Sequence, residues 1–157
     1  MIIYQFFRRL GAIPRWFTHF SKRKLEWVLA LYTFCFGLWL LLPPISFNPS
    51  SFSNALYYAD EGTWGMIYTI VGVVHLLALH VNGRKAWTPF GRLIAVTLNS
   101  QVFLAITIGV WPSNHWGSPV FTYGFLGLVF CGACIVSAAI DCGHEYAIWS
   151  ARNAVDE

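Results

Sequence analysis

The chain has 157 residues, 57% hydrophobic and 11% charged, with a formal net charge of +3. A typical soluble domain carries about 25% charged residues. This composition, with eight Trp and thirteen Phe, points to lipid as the solvent and excludes an ordinary soluble domain and a nucleic-acid partner.

Residues 1–24, "MIIYQFFRRLGAIPRWFTHFSKRK", form a basic cytoplasmic segment. Ile2, Ile3, Phe6, Phe7 and Leu10 recur at helical spacing opposite Gln5, Arg8 and Arg9, which predicts a short amphipathic helix lying on the membrane surface. Gly11 and Pro14 end it. Arg8, Arg9, Arg15, Lys22, Arg23 and Lys24 are the candidate membrane-surface or partner-binding residues. They attract anionic lipid and either anchor the topology or sense a cytoplasmic protein trigger.

A transmembrane domain over 25–140 follows, with a cytoplasmic tail at 141–157. A crossing needs about 20 apolar residues of helix, and four stretches qualify: about 25–42, 64–81, 90–111 and 119–140. The predicted fold is therefore an all-α membrane protein, four transmembrane helices with both termini cytoplasmic. No cleavable leader is read, so the first span is expected to stay in the mature protein. The loop after it holds one short helix near 52–58, and Asp60 and Glu61 suit the N-terminus of the next helix.

All ten Lys and Arg fall on one side of this arrangement, with Arg84, Lys85 and Arg92 flanking the second loop and Arg152 in the tail. Basic residues are retained inside, so both ends are expected in the cytoplasm. Trp64, Trp111 and Trp116 are read at the outer interface, Trp27 and Trp87 at the inner one.

Two histidines, His75 and His80, fall in the second span. Ionisable residues there mark functional sites by default. Five residues apart, they diverge by about 140° and cannot share a metal. No facing histidine offers a second haem ligand, so no metal or cofactor is expected. Eleven residues in from Trp64 is His75, and eleven in from Val110 is Asn99. The two share a midplane depth with Ser100, and Tyr32, Thr33 and Cys131 fall close by. His75, Thr97, Asn99, Ser100, Gln101 and Thr107 form a polar layer, either packed or lining a water-filled path. His80 belongs to the inner-surface turn.

On the fourth span Gly124, Gly127, Cys131, Cys134 and Ala138 step by three and four, a small-residue seam for close helix packing against this chain or a neighbour. "CGAC" lacks the partners of a redox or zinc pair. Neither Asp141–His144–Glu145 nor any other cluster is a catalytic motif, and no enzyme activity is expected.

The runs "RKLEWVLALYTFCFGLWLLLP" and "EGTWGMIYTIVGVVHLLALHVNGR" resemble small four-span inner-membrane proteins of tailed phages and prophages, over about residues 22–140. The resemblance implies a holin-like lysis, superinfection-exclusion or defence role. The first expectation is an oligomeric pore-former that permeabilises the membrane. The alternative is a non-pore scaffold or partner-binding protein with a packed polar layer, and a small transporter ranks third.

Overall fold

A computed structural model describes residues 23–42, 47, 49–81, 87–113 and 116–153. The predicted amphipathic helix at the N-terminus lies outside the described residues. So do Arg8, Arg9, Arg15 and Lys22. Every element is helical: α1 (Lys24–Leu40), α2 (Pro49–Tyr58), α3 (Glu61–Val81), α4 (Thr88–Val110), α5 (Ser118–Phe125), a π-helical segment (Leu126–Phe130) and α6 (Cys131–Asn153).

Three helical runs are long and apolar enough to cross a membrane: α3, α4 and the continuous 36-residue rod Ser118–Asn153. At 17 residues, α1 runs about 25 Å, a little less than a hydrocarbon core of about 30 Å. Large apolar side chains cover the outside of the bundle as well as its core, and a few polar groups are enclosed within that core. Leu31, Trp39, Ile70, Leu77, Ile94, Ile108 and Ile140 are exposed, while Glu26, Thr33, His75, Arg92 and Asn99 are buried. Apolar groups outside and ionisable groups inside is the arrangement that lipid imposes.

Glycines set how closely the helices approach. α1 packs along α3 where a Cβ on Gly37 would run into the backbone of Thr69, and one on Gly72 would meet the Phe34 nitrogen at 2.5 Å. α4 is the central helix, packed against α3, α2, α5, the π-helical segment and α6. Gly127 sits over Phe103 and Leu104, and Gly109 over Ala55. The small-residue seam thus meets α4 of the same chain. Along it Cys131, Cys134 and Ala138 are all buried, and Gly124 abuts Thr107.

Between α1 and α3, the described residues are tied to the helix ends. Trp64, read as an interfacial marker, is buried, and its indole N–H donates to the Ala55 carbonyl at 3.1 Å. It is a core residue roofed by α2, while Trp111 and Trp116 remain exposed. Phe47 stacks on Phe52, the Phe47 N–H donates to Glu61 Oε2 at 3.3 Å, and Ser53 bonds Ser113 at 2.8 Å. The Asp60 carboxylate accepts the Thr63 hydroxyl, and the Asp60 backbone carbonyl accepts the Trp64 N–H in the first turn of α3. The Thr63 bond holds this exposed carboxyl below the usual carboxylate range.

Candidate functional site: a buried polar axis

Two polar clusters lie inside the bundle, one near the middle of the helices and one near the Lys24 end of α1. At the middle, Asn99 of α4 joins two other helices. Its Nδ2 is 2.9 Å from His75 Nδ1 on α3, and its Oδ1 is 2.9 Å from Thr33 Oγ1 on α1. The Thr33 hydroxyl is also within 2.8 Å of the Leu29 carbonyl one turn back. All three side-chain-bearing residues are 0% exposed. Of their side-chain atoms, His75 Nε2 alone has no partner among the described residues.

The polar layer read from the sequence divides around this node. Ser100 is buried and donates to the Gly127 carbonyl at 2.8 Å, in the π-helical segment where the regular backbone ladder is interrupted. Thr97 and Thr107 are half-buried and bond back to their own helix, at the Leu93 and Phe103 carbonyls. Gln101 is exposed on the outside of the bundle. The Asn99 side chain points inward between α1 and α3, so it and Gln101 face opposite ways although they are only two residues apart.

The second cluster is ionic. Arg92, counted in sequence as a charge flanking the inner loop, is 0% exposed. Its Nη2 donates to Asp141 Oδ2 at 2.7 Å, and its Nε lies 3.1 Å from Glu26 Oε2. That second contact is an ion pair whose N–H is not directed at the oxygen. Arg23 Nη2 donates to the same Asp141 oxygen at 2.8 Å. Two cations and two anions thus cancel, over residues of α1, α4, α6 and the approach to α1. Burial, and then the neighbouring Arg92 cation, pull the Arg23 guanidinium below its usual range. Lys24, the adjacent basic residue, stays exposed.

The clusters share one register. Glu26 with Arg92 and Thr33 with Asn99 are both 66 residues apart, so each pair steps by seven along two helices running the same way. The next step, Leu40 and Ile106, is apolar and buried. On α3 the inward row Glu61, Tyr68 and His75 repeats the seven-residue step. Seven residues return a packed helix to the same face, so each helix presents one polar row to the bundle axis. Sequence reasoning missed Glu26 and Arg92 as a pair. The available signal was an acid in the first turn of an apolar run and an arginine in the first turns of another.

The chain matches no protein family, no curated protein and no solved structure among those compared. Its chemistry is therefore argued from geometry alone. Among the described residues no group of three His, Cys, Asp or Glu is placed to hold a metal. Cys131, Cys134 and Cys142 are buried free thiols and Cys35 an exposed one. His80 and His144 are exposed.

Proposed function

We propose that this chain is a small multi-pass protein of a bacterial cytoplasmic membrane, crossing four times with both ends in the cytoplasm, that works as a non-pore scaffold for a cytoplasmic partner. The observation that carries this reading is the closure of the polar layer within one chain: Thr33, Asn99 and His75 bond one another at 0% exposure. Buried polar groups in a membrane are retained where other helices pair them. A holin-like pore through this layer would have to break those bonds and turn the three groups toward water.

The fourth crossing is assigned to α1. It exposes Leu31, Leu38 and Trp39 outward and keeps step with α4 at both polar levels. The one-sided placement of Lys and Arg supports cytoplasmic ends. The rod Ser118–Asn153 has 36 residues, about 54 Å at 1.5 Å each, against about 30 Å of hydrocarbon. Its last turns therefore project beyond the bilayer, carrying exposed Tyr146 and Trp149. These exposed aromatics are the face offered to a partner, and the basic residues of the N-terminal sequence, Arg8 to Lys24, are a second candidate contact. The span pattern resembles phage and prophage membrane proteins, which fits an infection-linked scaffold.

The test combines topology and leakage. Reporter fusions at each end should be active only as cytoplasmic reporters, and a reporter in the 43–60 loop only as an external one. The purified protein should leave dye-loaded vesicles intact. Leakage, or an external terminus, would sink the scaffold reading.

A further inference from the structure

α4 carries one outward stripe: Phe90, Ile94, Leu98, Gln101, Ala105 and Ile108, spaced 4, 4, 3, 4 and 3 residues apart and all exposed. Five of the six are apolar, as a lipid-facing stripe should be. The sixth is a carboxamide two residues beyond Asn99, the centre of the helix. That is about 3 Å from mid-depth.

Gln101 differs from the other outward polar groups of α4. Thr97 and Thr107 return their hydroxyls to their own helix. A glutamine amide has two donors and an acceptor to satisfy, and Gln101 has no side-chain partner among the described residues. From mid-depth the headgroups lie about 15 Å away, beyond the reach of a glutamine side chain. Against lipid tails these groups would stay unpaired at large cost. Interhelical hydrogen bonding is the usual remedy.

The geometry points to a second copy of this chain on the α4 stripe, paired through Gln101. Copies inserted by the same rule point the same way, so their α4 helices run parallel about a twofold axis along the membrane normal. Gln101 then meets Gln101 of the second copy at equal depth. A carboxamide is self-complementary: each Nε2–H donates to the other copy's Oε1. Ala105, one turn on, lets the backbones approach. The seam of Gly124, Gly127, Cys131, Cys134 and Ala138 is already filled by α4 of the same chain, so it offers no dimer contact.

This inference rests on α4 crossing the membrane. Alkaline extraction tests that separately: a protein released from the membrane would sink the membrane reading itself. The pairing is tested on the full chain in vesicles by single-molecule photobleaching. Wild type should bleach in two steps. Gln101→Leu should weaken association by about ten-fold, the scale of one or two interhelical bonds, and Gln101→Asn should retain much of it. With the exposed native thiol removed by Cys35→Ser and Gln101 kept, Ala105→Cys on the same stripe should form disulfide dimers on oxidation, and Val136→Cys, exposed on α6, should not. A monomeric wild type, assemblies larger than two, an unweakened Gln101→Leu, or equal cross-linking at 136 would each overturn the pairing.

Discussion

Arg92 is the residue on which the Lys24 end of the bundle depends. A guanidinium with no exposure costs several kcal/mol to desolvate, and its carboxylate partners offset this only while both signs are present. Removing one partner therefore costs more than removing both. Arg92→Leu should lower unfolding stability in detergent by about 3–5 kcal/mol, because Glu26 is left buried and uncompensated. Adding Glu26→Leu should recover much of that loss, since Arg23 and Asp141 still pair with each other. A double mutant no more stable than Arg92→Leu would contradict the ion-pair account. At the midplane, Asn99→Leu strands His75, while Thr33 keeps its bond to the Leu29 carbonyl, and should cost about 1–2 kcal/mol, read by the same denaturation.

At the scale of elements, the helices are placed by glycine and by a shared seven-residue register. Gly72→Leu puts a side chain where the Phe34 backbone stands, so it should separate α1 from α3 and disrupt folding. Gly143→Ala meets nothing within 4 Å and should stabilise α6 by up to about 1 kcal/mol through helix propensity. Thermal unfolding of the two variants in one detergent separates these outcomes. Much of this layer was legible beforehand. Hydropathy alone finds α3, α4 and the start of the last rod within about three residues, and a depth count puts His75 level with Asn99. A helical wheel sets Asn99 nearly opposite Thr97, Ser100, Gln101 and Thr107, but which side faces the bundle was not legible, because a wheel groups residues by angle without saying which neighbours surround them. Nor was the Arg92 cluster, because a charge near a span end reads as a topological signal until a second helix brings it a carboxylate. Trp64 failed as an interfacial marker for a similar reason: α2 folds over it.

For the whole molecule, the question is whether the polar axis is shut inside one chain. The inward rows of α1, α3 and α4 account for Glu26, Thr33, Glu61, Tyr68, His75, Arg92 and Asn99, all buried, and leave Gln101 as the exposed polar side chain halfway along α4. A bundle built this way encloses the Thr33–Asn99–His75 node within one chain, and the proposed Gln101 pairing adds a second copy on its outside. Thiol accessibility tests this most directly. Ser100→Cys and Ser53→Cys, each made with Cys35→Ser, would be challenged in intact vesicles with a polar, membrane-impermeant thiol reagent. Position 53, exposed at the outer end, should label rapidly, while position 100, bonded inside to Gly127, should stay unlabelled over the same time. Labelling at 100 as fast as at 53 would mean that the polar layer is open to water, and would contradict the closed bundle.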